Sequence, residues 1–139
     1  MPLSRKLAQL VEDLAVIDDA HERLSLVVER SKRTPPLPPA ERIDEHRVRA
    51  CVSVVWLVGE VRDGLCTFRA DAESPVVRAL VVLLCDFFSG FTPAMIAATE
   101  VDPLAALDLT KDLSPTRRNG LAAALGTIRA FARSHLATP

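Results

Sequence analysis

The sequence predicts an α+β fold, a small antiparallel sheet of about three strands packed by N- and C-terminal helices. Three patterns carry this reading. Residues 4 to 31 repeat apolar side chains at helical spacing. Val48 to Ala70 is rich in branched apolar residues and is broken once, by the turn signal Arg62-Asp63-Gly64. From Ser74 onward, four helix starts follow one another, each a capping side chain before a proline.

In chain order, Ser4 is placed to cap a first helix whose inner face is Leu7, Leu10, Val11, Leu14 and Ile17. Asp19-Ala20-His21-Glu22 has the form of a capping box, so a second helix runs to about Ser31 with Leu24, Val27 and Val28 inward. The two helices form a hairpin around Asp18. Thr34-Pro35-Pro36-Leu37-Pro38-Pro39 ends the second helix and reads as a stiff connector over the surface, because proline lacks a backbone donor and biases its predecessor toward extended geometry. Ala40 to His46 is charged and supports at most a helical turn.

Val48, Val52, Val54, Val55, Leu57, Val58 and Val61 then suit a strand with both faces covered, since apolar residues occupy both parities. The Asp-Gly turn returns the chain as Leu65 to Ala70, and a short third strand is expected around Arg47 to Ala50. Ser74-Pro75, Thr92-Pro93, Asp102-Pro103 and Ser114-Pro115 each set a side-chain acceptor before a proline whose missing N–H is harmless at the first helical position. Val76 to Phe88 is apolar nearly all round and is the expected central helix, stopped by Gly90. The last helix runs from Pro115 to about His135 on an inner face of Leu121, Ala124, Leu125, Ile128 and Phe131. The 139 residues read as a single domain spanning 1–139.

Composition excludes several function classes. The formal net charge is -1 and basic clusters are short, which predicts neither nucleic acid nor membrane as a partner. The longest apolar run, Ala79 to Cys85, is too short to span a bilayer, and the polar start Met1 to Arg5 predicts no secretory signal. Three cysteines without a close pair predict free thiols and a cytoplasmic, reducing setting. With five glycines and no glycine-rich loop, phosphate cradles are not expected. The histidines and cysteines lack metal-ligand spacing, so no metal site is expected.

Cys51 is the candidate reactive group. It stands at a loop-to-strand junction beside His46, Arg47 and Arg49, whose positive charge favours thiolate, while Ala50, Val52 and Val54 oppose ionisation by desolvation. Cys66 lies inside a predicted strand and Cys85 in the most apolar helix, where cysteine acts as a small hydrophobe. Arg117 and Arg118 fall in the first turn of the last helix, where the dipole disfavours cations, and a local rule broken in this way marks either a candidate site or a solvated face near Asp112.

Four blocks, in order, resemble the SufE family of sulfur-acceptor proteins. Arg42 followed by Val48-Arg49-Ala50-Cys51-Val52-Ser53-Val54-Val55-Trp56 is similar to its V-x-G-C-Q-S-Q-V-W motif. Phe68-Arg69-Ala70-Asp71-Ala72-Glu73-Ser74 is similar to F-x-A-D-S-D-A, and Ser89-Gly90-Phe91-Thr92-Pro93 to S-G-x-T-P. Leu113-Ser114-Pro115-Thr116-Arg117-Arg118-Asn119-Gly120-Leu121 is a near-complete copy of L-S-P-S-R-x-x-G-L.

The resemblance implies a SufE/NifU-like fold and a persulfide carrier that is not an enzyme by itself. Cys51 would take sulfur from the persulfide of a cysteine desulfurase, stimulate that enzyme, and pass the sulfur to an iron–sulfur cluster assembly scaffold. The pyridoxal phosphate belongs to the desulfurase, and the acceptor itself uses no cofactor. Arg117, Asp71, Glu73, Ser53 and Arg49 are the residues expected to support Cys51 or the partner-facing surface. The expected assembly is a monomer or weak homodimer.

Ala50 replaces the motif glycine, and Val52 and Val54 replace both glutamines, so the surroundings of the cysteine are drier than the family pattern. Two alternatives stay open: an iron–sulfur scaffold-like protein, because a related scaffold family shares this general fold, and, because of the lost glutamines, a desulfurase-binding module that transfers no sulfur.

Overall fold

The computed structural model describes residues 2–48 and 54–136. Its elements are α1 (Leu3–Ala15), α2 (Ala20–Ser31), two single-turn 3₁₀ helices (Pro39–Glu41 and Asp44–His46), β1 (Val55–Arg62), β2 (Leu65–Ala72), α3 (Pro75–Phe88), α4 (Pro93–Ala98), α5 (Pro103–Ala106) and α6 (Pro115–Ser134). The fold is α+β, as the patterning predicts.

β1 and β2 form an antiparallel hairpin in register from Val55 opposite Ala72 to Arg62 opposite Leu65. The turn needs positive φ at both central residues, and Asp63 (54°) and Gly64 (79°) supply it. Period-two alternation then separates two faces. Val55, Leu57, Cys66, Phe68 and Ala70 are buried on the inner face, with α3 against β2 and α6 against β1. Gly59 belongs to this face because a Cβ there would meet the Phe131 ring of α6 at 2.8 Å. Phe131 is held in turn by an edge-on contact with Phe68, centroids 5.4 Å apart.

All four proline-led helices start as the sequence predicts. Ser74, Thr92, Asp102 and Ser114 accept from the backbone N–H groups of Val77, Met95, Leu104 and Arg117, respectively. Asp19 caps α2 through His21 N. Ser4 does not cap α1; the helix already begins at Leu3, with Pro2 in extended geometry before it and no side-chain cap. α3 is the central buried helix, and Gly90, at φ 94°, turns the chain after it.

The free edge of β2 is closed by the segment that follows α3. Phe91 O accepts from Cys66 N, Cys66 O accepts from Gly90 N, and Ser89 Oγ accepts from Phe68 N, each within 2.9 Å. The third strand expected around Arg47 to Ala50 is, among the described residues, a single bridge between Arg47 and Trp56. Arg49, Ala50 and Val52 lie outside the described residues, and β1 itself begins at Val55.

The proline-rich connector becomes a strap. It leaves α2 near the β2 edge, crosses the outer face of the hairpin and reaches the far edge of β1 at Arg47 and Val48. Val58 and Asp71 lie on that outer face by parity, yet both are buried. β1 is therefore covered on both sides over part of its length, which explains its lack of alternation.

Candidate functional site

The segment carrying Cys51 leaves the described structure at Val48 and re-enters it at Val54. These two ends are fixed. Val48 N–H donates to Val55 O at 2.9 Å, and Glu73 N–H donates to Val54 O at 3.2 Å. These bonds tie the described backbone on either side of residues 49–53 to the hairpin. Cys51, Arg49 and Ser53 themselves lie outside the described residues.

Asp71 and Glu73 sit at the end of β2, next to that re-entry point, and their environments differ. Glu73 is exposed and contributes its backbone N–H. Asp71 is 5% exposed and faces inward on its partners. Its Oδ2 accepts from Leu37 N at 3.1 Å, and its Oδ1 accepts from Ala72 N and Arg78 Nε, both at 2.9 Å. Arg78 then donates to Ser31 O and Thr34 O at 2.9 and 2.7 Å. Asp71 is thus the hub that joins strap, β2 and α3, with its carboxylate committed inside the molecule.

Arg117 is exposed in the first turn of α6, where its backbone N–H is taken by Ser114 Oγ. Among the described residues no hydrogen bond or ion pair joins its side chain to Asp71 or Glu73. The cation at a helix N-terminus, unfavourable by itself, is relieved by solvent at this exposed position.

Burial pushes the thiols of Cys66 and Cys85 up, and the nearby Asp86 carboxylate adds to the effect at Cys85. Both are free and buried, so both are poor sources of thiolate at neutral pH. Among the described residues no three His, Cys, Asp or Glu side chains converge as a metal site, and no helix is long and apolar enough to cross a membrane.

One pair escapes a reading of the sequence. Arg69 on the outer face of β2 grips Glu41 of the strap in a bidentate contact, Nη1 to Oε1 at 2.6 Å and Nη2 to Oε2 at 2.5 Å. Period two places Arg69 outward, but nothing local names a partner 28 residues away. The hydrogen bonds from Arg69 hold the Glu41 carboxyl below the usual glutamate range against a smaller desolvation effect, with the charges of Arg69 and His46 helping. A depressed folded-state pKa stabilises the fold above the ordinary carboxylate range, and that contribution is lost as pH falls through the folded value. The stability difference between wild type and Glu41→Gln is therefore expected to be present at neutral pH and to close on acidification. Denaturant midpoints measured across that range check it, and a difference that grows toward acid would contradict it.

Comparison with known proteins places these features. The Fe–S metabolism associated domain of the SufE family matches residues 8–132. An uncharacterized SufE-like protein of Rhizobium meliloti (strain 1021) is 33% identical over 135 residues, covering 94% of this chain and 96% of that protein. An uncharacterized SufE-like protein of Synechocystis sp. is 30% identical over 118 residues, covering 85% of this chain and 74% of its own. The solution structure of a hypothetical protein from Thermus thermophilus shares the fold, with a TM-score of 0.75 at 24% identity over 96% of this chain and 97% of its own. A family match across the strap, the hairpin and α6, together with relatives of this identity, shows that the chain belongs to the SufE family, whose domain is associated with Fe–S metabolism.

Proposed function

We propose that this protein is a sulfur acceptor: Cys51 takes sulfane sulfur from the persulfide of a cysteine desulfurase, and the carrier then delivers it to an iron–sulfur cluster assembly scaffold. The observation that carries the reading is the sequestration of the other two thiols. Cys66 and Cys85 are 0% and 2% exposed, with thiols pushed toward the protonated form, so neither suits exchange with a partner. Cys51, in a segment tied at both ends to β1 and its neighbours, stands within the matched family domain.

The step is a thiol exchange that balances without an oxidant. The Cys51 thiolate attacks the terminal sulfur of the desulfurase persulfide. A Cys51 S–S bond forms, the S–S bond on the desulfurase breaks, and the desulfurase cysteine departs as thiolate. Attack requires a deprotonated Cys51, and Arg47 and Arg49 are the sequence neighbours whose charge favours it. Pyridoxal phosphate is the desulfurase's, and this chain supplies only the thiol and a docking surface. Glu73 and Arg117, both exposed, are the described site residues available to a partner. Asp71 supports the site from inside by holding the strap. A reducing compartment such as the cytoplasm suits a free acceptor thiol.

A cysteine desulfurase assayed for alanine release is expected to turn over cysteine faster when this protein is added. An unchanged rate would count against the reading. Val52 and Val54, where the family pattern has glutamines, favour one second reading, a binding module without transfer. Its signature is tight desulfurase binding with no rate gain.

A further inference from the structure

We infer that the strap after α2 is a docking edge for a second protein, one whose surface carries an aromatic-lined groove for a polyproline II segment with a carboxylate beside it. Docking here uses no residue of the Cys51 segment and stands apart from the acceptor reading.

The run Arg33-Thr34-Pro35-Pro36-Leu37-Pro38-Pro39 joins α2 to the first 3₁₀ turn. Proline fixes its own φ near the polyproline II value and pushes the residue before it to extended geometry. Each of Pro35, Pro36, Leu37 and Pro38 is a proline, precedes one, or both. Pro38 has φ −59° and ψ 150°, and no helix or strand includes residues 35–38. Polyproline II has three residues per turn, so the strap presents three edges.

One edge, Thr34 and Leu37, is turned to the protein. Leu37 is 4% exposed, and Thr34 O accepts from Arg78 Nη2. Leu37 N–H is the only backbone donor between Pro35 and Pro39, and Asp71 Oδ2 takes it. The other two edges, Pro35 with Pro38 and Pro36 with Pro39, are exposed at all four prolines. Among the described residues, no hydrogen bond ends on the carbonyls of Pro35, Pro36 or Leu37. The strap is therefore stiff, fixed along one edge and open along two. The ordering cost that a loose proline segment meets on docking has already been met in folding.

Two exposed proline edges with free carbonyls suit flat aromatic side chains. The rings pack on the pyrrolidines, and their N–H or O–H groups donate to the carbonyls. Charge places the rest of the partner. Arg33 is exposed just before the run, and among the described residues its side chain has no hydrogen bond or ion pair. Arg30, one turn earlier in α2, is exposed as well. At the other end, the exposed Arg42 is offset by Asp44 and Glu45. A carboxylate on the partner is thus complementary to the Arg33 end, and this sets the docking direction.

The test titrates the full chain into a nitrogen-15-labelled SH3 domain that has an acidic pocket beside its aromatic groove. The amide signals of the groove are expected to shift with a Kd below about 1 mM. Arg33→Glu, and separately Pro36→Ala with Pro39→Ala, are each expected to weaken binding at least about tenfold, as loss of an anchor does. Lys32→Glu makes the same charge change one residue away, at a side chain engaged with Glu29, and is expected to alter Kd less than about twofold. Urea midpoints show that each variant is folded, and Arg33→Glu, at an exposed position, leaves the strap itself intact.

Absence of groove shifts with the full chain at about 1 mM overturns the docking edge. So does binding by a synthetic peptide of residues 33–39 when the full chain does not bind, since the open edges are then out of reach. Equal weakening by Lys32→Glu and Arg33→Glu marks unspecific charge attraction and overturns it too.

Discussion

Replacing Cys51 with serine is expected to abolish sulfur loading by a cysteine desulfurase, while Cys66→Ser and Cys85→Ser load as wild type does. A serine hydroxyl cannot form the S–S bond, so no residual transfer through this position is possible. The two control substitutions remove thiols that are shut inside β2 and α3 and are held protonated by burial. Single-turnover transfer of labelled sulfur, followed by separation of the two proteins, measures the effect. Equal loading of the Cys51→Ser variant would place the acceptor elsewhere. Each control variant must be shown folded, since adding a hydroxyl to a packed, apolar site destabilises it.

The largest effect on stability is expected at Arg78. Its guanidinium makes the ion pair with Asp71 at 2.9 Å and donates to Ser31 O and Thr34 O, with side chains only 16% and 7% exposed in the pair. Arg78→Ala leaves a buried carboxylate facing no cation and removes the guanidinium donor from Thr34 O, while Ser31 O keeps its bond from Thr34 N–H. Breaking a buried pair from one side costs about 3–5 kcal/mol. Asp71→Asn keeps an acceptor for Leu37 N or Ala72 N and is expected to cost less. Urea unfolding of both variants checks the order and the size. A loss of under about 1 kcal/mol for Arg78→Ala, a magnitude typical of surface pairs, would remove the hub from the account.

These two predictions differ in how much of their basis the sequence reveals. The helix starts are legible because a cap and its proline act within four residues, and Ser74, Thr92, Asp102 and Ser114 all bond as their local pattern requires. The hairpin is legible for the same reason, since Asp63-Gly64 carries its own backbone preference. The strap is legible only as a stiff surface connector. Its course depends on Leu37 meeting Asp71 and Glu41 meeting Arg69, contacts across 34 and 28 residues that no periodicity encodes. Asp71 illustrates the limit. An aspartate at the end of a strand reads as a surface acid, and it is buried because Arg78, one turn into α3, and the strap supply its donors. Cys51 is marked by its motif and its junction position, and the structure adds the fixed ends of its segment at Val48 and Val54.

The central claim is sulfur on Cys51. Incubation of the wild-type protein with a cysteine desulfurase and cysteine, followed by intact mass and peptide mapping without reductant, tests it most directly. The account predicts a chain heavier by one sulfur atom, removable by dithiothreitol and mapped to the peptide containing Cys51. An unchanged mass, or added sulfur mapped to Cys66 or Cys85, would contradict it.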